Sequence, residues 1–583
     1  MGELYTNGVF YSMDAANHVY EAMYVEKGRI AALGSGKELA ASVPAGTERI
    51  DLAGRAVLPG LIDSHMHLAE YGIMQERVFL GNAVSKEEVL ELLKEAIKKR
   101  KETGERRDCG REEEASRAGD AWLIGYGFNQ DYFKTGPGEI AQLPTRTDLD
   151  QVSTEVPILI IRACIHIMVA NTKALTLNGL MKPVKEITVE GGEFDCGEDG
   201  YPNGIARENA LELLYKAMPE FDIPALKKAL KNAMGEVAKY GITTVHSDDF
   251  TEAERWKDIV MAYRELEAEG AMTVRVCEQC QFPGKKELEE FLAERHDSIT
   301  GGDTFFELTS LKIIEDGSLG ARTAYLREPY RDDPNNPDNR GILIIPEHEL
   351  YEYMKIAHHA DLPMEVHAIG DGTIELILNL YRRLQEEEPK PGLRHGIVHC
   401  QITDKELLRR FRDQNILAYI QPIFLHYDLH IVESRVGKEL AGTSYAWKSL
   451  VDSGVPVCGG SDCPVEFFNV MEGIYCAVTR KDLKGNPKGG HYPEQCLTVE
   501  EAVRLFTTGG AYAGGQENEK GSLEVGKLAD IAVLSEDIFR CEAERIKEIR
   551  VVRTVVGGRT VWQDKKFKAA EGLPPGRYIA RNF

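Results

Sequence analysis

The chain has 583 residues, too long for one ordinary compact domain and suited to several domains or one large α/β barrel with additions. Hydrophobic residues make up 43% and charged residues 28%, an ordinary globular balance that excludes a largely disordered chain or a fibrous repeat. With 94 acidic against 70 basic residues the net charge is −24, which repels phosphate backbones and excludes nucleic acid as a general partner.

Residues 1–56 read as short strands and turns. Asn7-Gly8 predicts a hairpin between the apolar runs on either side, and a second turn is expected at Lys27-Gly28. The N-terminus lacks a basic region followed by an apolar run, so no signal peptide is expected. No run of about 18 apolar residues is present to span a membrane. The 11 scattered cysteines suit a reduced, cytoplasmic protein better than a disulfide scaffold.

From 57 to 515, apolar strand-like runs alternate with amphipathic helices. The strand-like runs fall at 56–67, 157–164, 241–247, 308–317, 362–371, 394–400, 416–422 and 455–464. Helices are expected at 86–100 and 223–241. This alternation predicts an α/β fold: a TIM-like (β/α)8 barrel over 57–515, with an insertion or lid at about 76–240. Residues 100–119 are charged and aperiodic and read as a solvated excursion. Trp122, Tyr126, Phe128, Tyr132 and Phe133 form either the insertion's own core or an apolar wall facing a substrate. Cys277 and Cys280 lie in an apolar run at 273–282 and are expected to pack in a buried strand rather than bind metal. The last residues read as strands again, with a hairpin at Gly557-Gly558. Segments 1–56 and 516–583 are therefore expected to meet in one small β-sandwich domain.

The chemistry concentrates at strand ends. In the run ending at His67, His65 and His67 stand at i and i+2, so an extended backbone puts both imidazoles on one face. That is half of a divalent metal site, and Asp63 lies on the same face as a supporting partner. Lys312 sits inside an apolar strand, where an ammonium group needs a partner; Glu315 or Asp316 could supply one. His367, His399 (with His395 before it) and Asp462 each end a later strand. Histidines and a carboxylate at the carboxyl ends of successive barrel strands occupy the places where such a barrel carries its catalytic groups.

These motifs resemble the amidohydrolase superfamily, and within it the branch containing N-substituted formamide deformylase. The resemblance covers nearly the whole chain: PGLIDSHMH at 59–67, PTRTDLD at 144–150, LKIIEDGSLGARTAYL at 311–326, HAIGD at 367–371, RHGIVH at 394–399, QP at 421–422, GGSDCPVE at 459–466 and GSLEVGKLADIAVL at 521–534. It implies that His65, His67, His367, His399 and Asp462 bind metal, and that Lys312 is a ligand carboxylated to bridge two ions. It implies that Asp462 shuttles a proton, and it places His166, Glu208 and Arg322 in pocket-lining segments. The chain departs from the branch pattern at Val398, at Cys164-Ile165 and around Gly127-Phe128-Asn129.

A divalent ion on such ligands makes hydroxide available at neutral pH and polarises a carbonyl. The expected activity is thus metal-dependent hydrolysis of an amide or formamide C–N bond. Catalysis would fall to Asp462, His399 and Lys312, with one or two ions per chain, zinc fitting the N/O ligands best. A deaminase or a cyclic-amide or ester hydrolase on the same site is the alternative, and a metal-binding scaffold without turnover the remote one. The expected partner is a small-molecule substrate, with neither nucleic acid nor membrane, and a homodimer is the family expectation.

Overall fold

The computed structural model describes residues 2–103, 122–130, 133–134, 142–162, 167–189, 192–208, 210–216, 221–294, 305–334 and 336–565. They form two compact units, Met1–Tyr71 with Leu230–Phe583, and Gly72–Ala229.

The core of the first unit is a sheet of eight parallel strands. In chain order they are Leu61–Met66, Ile242–Ser247, Arg275–Gln281, Phe306–Ile314, Met364–Ala368, Gly396–His399, Leu417–Ile420 and Val457–Gly459, and each pairs with the next. Several are buried at every position, as expected when helices cover the outer face and side chains fill the inside. Beyond the last strand the backbone is stitched to the first: Asp462 N donates to His65 O and His67 N to Cys463 O, both at 2.7 Å. The sheet thereby curls into the expected TIM-like barrel.

The helix Asp371–Glu387, between the fifth and sixth strands, shows why the crossovers form. Ile374, Ile377, Leu378, Tyr381 and Leu384 recur at three- and four-residue spacing and are all buried. The third barrel strand is the 273–282 run, with Cys277 and Cys280 at 1% and 0% exposure, in agreement with core packing. The run at 157–164, grouped by its apolarity with the barrel strands, lies elsewhere: Ile158–Arg162 belongs to the sheet of the second unit. A short run buried on both faces has the same pattern in either sheet.

Two further sheets sit in the first unit. One has four strands in the order Arg29–Gly34, Ala22–Glu26, Glu3–Thr6, Glu48–Asp51. The other has six, in the order Arg559–Gln563, Val551–Val556, Ile531–Leu534, Ala56–Pro59, Val9–Tyr11, Val19–Tyr20, so both ends of the chain contribute to it. Tyr5, Met23 and Ile30 from one sheet and Phe10, Val57, Val533 and Val555 from the other share one apolar cluster. The turns at Lys27-Gly28 and Gly557-Gly558 close antiparallel hairpins as expected. Asn7-Gly8 does not: Glu3–Thr6 pairs with strands of the first sheet and Val9–Tyr11 with strands of the second. Asn7, at φ 51°, turns the chain there, but from one sheet into the other.

The second unit holds a mixed six-stranded sheet in the order Gly192–Cys196, Pro202–Glu208, Ile167–Ala170, Ile158–Arg162, Leu123–Phe128, Val78–Phe79. Trp122 packs in the core on one side, with Tyr126 against it, and Phe128 and Phe133 in the core on the other. Of the insertion's aromatic residues these four build its own interior; Tyr132 lies outside the described residues, as does 104–119 of the charged excursion. Among the described residues no helix is long and apolar enough to cross a membrane.

Candidate metal centre

The ligand candidates are delivered by the carboxyl ends of five barrel strands, and the strand order brings them together. His65 and His67 come from the first strand, Lys312 from the fourth, His367 from the fifth, His399 from the sixth, and Asp462 from the turn after the eighth. His399 at φ 81° and Asp462 at φ 60° are left-handed. That conformation costs a residue with a side chain roughly 1–2 kcal/mol, and the stitching between strands eight and one holds Asp462 in it. Gly460 is needed here, because a Cβ would lie 2.7 Å from His65 N.

The hydrogen bonds fix where each imidazole lone pair points. His65 Nδ1 donates to Gln279 Oε1 at 2.6 Å, His399 Nδ1 to Gln421 Oε1 at 2.8 Å, and His67 Nδ1 to Asp248 O at 3.0 Å. His367 donates through Nε2 to Gly317 O, with Asp316 Oδ1 also at 3.3 Å. The bare nitrogens are therefore Nε2 of His65, His67 and His399, and Nδ1 of His367, and these are the ones that converge. Asp462 Oδ1 lies 3.3 Å from His65 Nε2 and 3.2 Å from His67 Nε2. Lys312 Nζ is 3.0 Å from His65 Nε2. His399 Nε2 faces His367 Nδ1 at 2.9 Å, two lone pairs aimed at one another. Lone pairs that close repel unless a cation sits among them. The ligand atoms of His65, His399 and Asp462 all lie within 4.8 Å of one another. The donor set thus fits a divalent ion.

The electrostatics agree. Burial, then the Lys312 ammonium, lowers His65 to about 4, and burial beside His367 holds His399 well below the ordinary imidazole value. Both are neutral, as ligands must be. Burial acts against a charged His67 as well, but the hydrogen bond to Asp462 and the charges of Asp248 and Asp462 outweigh it and lift His67 to about 9, so this ring differs from the other two and must give up its Nε2 proton to bind an ion. Burial would raise Asp462; the His65 and His67 rings beside it outweigh that and hold the carboxyl well below its usual range.

Lys312 is paired across strands rather than along its own. Its Nζ lies 3.7 Å from Asp248 Oδ2, not on Glu315 or Asp316. Asp316 is taken by the backbone amides of Tyr325, Ile369 and Gly370 and by the Thr373 hydroxyl. Asp63 accepts from the amides of His65 and Ser461, bracing the ligand turn rather than an imidazole. His395 is tied to His358 at 2.9 Å and stacks on Tyr381. Arg322 is bound to Asp332 through Nε at 3.0 Å and Nη2 at 3.2 Å, stapling the loop after the fourth strand. Glu208 ends a strand of the second unit and is exposed there, and His166 lies outside the described residues. Sequence reasoning missed Gln279, Gln421 and Asp248. Glutamine anchors carry no spacing signal, although the Gln421-Pro422 pair stood among the motifs.

A model of the amidohydrolase family matches residues 48–562. The chain belongs to the amidohydrolase family. Over 564 residues this amidohydrolase is 31% identical to YtcJ of Bacillus subtilis, covering 97% of the chain and 100% of that protein. It is 25% identical over 575 residues to N-substituted formamide deformylase of Arthrobacter pascens, covering 94% of the chain and 96% of the relative. An uncharacterized metal-dependent hydrolase from Pyrococcus furiosus superposes with a TM-score of 0.72 at 27% identity, over 93% of this chain and 100% of that one. Family and solved relative together make this chain a metal-dependent hydrolase.

Proposed function

We propose that this amidohydrolase cleaves the C–N bond of a small amide or formamide, with zinc held by His65, His67, His399 and Asp462, and with Lys312 and His367 completing the set. The convergence of the His65, His67 and His399 lone pairs on one buried carboxylate, with His367 facing His399, carries this reading. A divalent ion there supplies Lewis acidity, acidifying a water and polarising the substrate carbonyl.

The chain's own groups do the rest. Asp462 takes the proton of the attacking water and returns it to the leaving nitrogen, a delivery that amides require because an amide anion is a poor leaving group. Its place beside His65 and His67 puts the carboxylate among the groups that would hold the ion. His399 serves as a ligand rather than as a donor to the oxyanion, because its one N–H is committed to Gln421. Gln279 and Gln421 hold two ligand rings in the metal-binding tautomer.

The test is a primary-amine release screen. Zinc-loaded wild type and Asp462→Asn would be offered a panel of N-formyl, N-acyl and cyclic amides. Amine release by wild type and not by the variant is expected. Ammonia without organic amine would assign a deaminase instead, and silence across the panel with zinc bound would sink the amide reading.

A further inference from the structure

Asp248 directly follows the second barrel strand, Ile242–Ser247, and stands between His67 and Lys312. Its side chain is 0% exposed, yet neither carboxylate oxygen has a hydrogen-bond partner. The approach of Lys312 Nζ to Oδ2, at 3.7 Å, is longer than a hydrogen bond. The neighbouring acids are treated differently. Asp249 accepts from Ala69 N at 2.8 Å and from the Tyr263 hydroxyl at 2.5 Å, and Glu278 Oε1 accepts from Asp249 N at 2.9 Å. Those groups brace the backbone. Asp248 braces nothing with its side chain; its backbone alone is used, the carbonyl by His67 Nδ1 and the amide donating to Met66 O, both at 3.0 Å.

A buried carboxylate with no donors is costly and persists where a cation answers it. The charge count points the same way for either state of Lys312. With an ammonium at Lys312 and the imidazoles neutral, as ligation requires, two carboxylates (Asp248 and Asp462) face one fixed positive charge. With a carboxylated Lys312, three anions face none. In both cases the interior lacks positive charge, and the deficit lies at the carboxyl end of the barrel beside His65 and His67.

We propose that Asp248 is a further metal-binding carboxylate of this centre, supplying a second anionic arm besides Asp462 and keeping Lys312 and His67 beside the ion. This rests on the metal-dependent reading of the site. It adds a second-strand residue to a set otherwise drawn from strands one, four, five, six and eight.

The experiment measures ion binding, not turnover. Zinc affinity is measured by chelator competition, and the visible spectrum of the cobalt-substituted protein is recorded, for wild type, Asp248→Asn and Asp248→Glu. Melting temperatures of the metal-free proteins accompany both. Asp248→Asn is expected to lose roughly 10–100-fold in zinc affinity, as groups supporting a metal site do, and to shift the cobalt bands. Asp248→Glu, which keeps the charge on a longer arm, is expected to recover part of the affinity with a spectrum still altered. Wild-type affinity together with an unchanged cobalt spectrum in Asp248→Asn overturns the proposal, even where its metal-free melting point falls, because that pattern belongs to a purely structural ion pair with Lys312. If Asp248→Asn does not fold, Asp248→Glu decides alone: an altered spectrum supports the assignment and an unchanged one overturns it. A wild-type protein that takes up neither ion would instead remove the metal-dependent reading itself.

Discussion

Replacing Gln279 by leucine tests the orientation of the site without touching a ligand. Gln279 Oε1 receives the His65 Nδ1 proton at 2.6 Å, while its amide nitrogen donates to Glu365 and to Ser64 O. Leucine fills similar space but cannot accept. His65 is 1% exposed, so no water replaces the lost acceptor. Leaving one buried donor unmade costs about 1–3 kcal/mol, and the ring can avoid that by moving its proton to Nε2, where Asp462 Oδ1 waits at 3.3 Å. That tautomer folds but cannot bind an ion at Nε2. The metal-free protein should therefore lose about 1–3 kcal/mol, for the donor taken from Glu365 and Ser64 O, while zinc affinity falls roughly 10–100-fold, about 1.4–2.8 kcal/mol. Chelator competition gives the affinity and thermal melting of the metal-free form gives the stability. Unchanged affinity with a lowered melting point would refute the reasoning, since Gln279 would then be packing rather than orienting.

Three other outcomes follow from the same geometry. Asp462→Asn should lower amide turnover by roughly 10²–10⁴-fold or more while the metal-free protein keeps its circular dichroism; a folded variant with near-wild-type rates would rule out the proton shuttle. Burial, with a smaller push from the Asp316 charge, lifts Glu315 to about 8 against a backbone hydrogen bond from Ile345. The fold therefore favours the neutral acid: the contribution of Glu315 is intact below its ordinary value near 4.5 and is lost as pH rises through about 8. Glu315→Gln should accordingly gain melting temperature over wild type at pH 9 relative to pH 5, about pH values that bracket this shift; a difference independent of pH would contradict the buried acid. Finally, if Lys312 is carboxylated as the family resemblance implies, metal uptake by the metal-free protein should depend on bicarbonate and native mass should show the added carbon dioxide. Uptake indifferent to bicarbonate, with no added mass, would leave Lys312 an ammonium ion.

What could be read from the sequence divides along the distance between interacting residues. The spacing of His65 and His67 is a local fact about an extended backbone, so their shared face was readable without any fold. The barrel follows from alternation along the chain, and its strand order then brings His367, His399 and Asp462 to the same end. The failures all concern which strand lies next to which. Asn7-Gly8 is a sound local turn signal, yet its flanking strands find their partners in two different sheets. The run at 157–164 has the right apolarity for a barrel strand and lies in the insertion sheet. Lys312 was matched to Glu315 and Asp316 because they are near in sequence, but the carboxylate facing it comes from the second strand. The tautomers are the sharpest case. Whether a histidine presents Nδ1 or Nε2 to an ion depends on what accepts its other proton. Here the acceptors are Gln279, Gln421, Gly317 and the Asp248 carbonyl, and no spacing in the sequence marks any of them as an acceptor. A ligand pattern therefore names the atoms that can bind an ion, while the fold decides which lone pairs reach it.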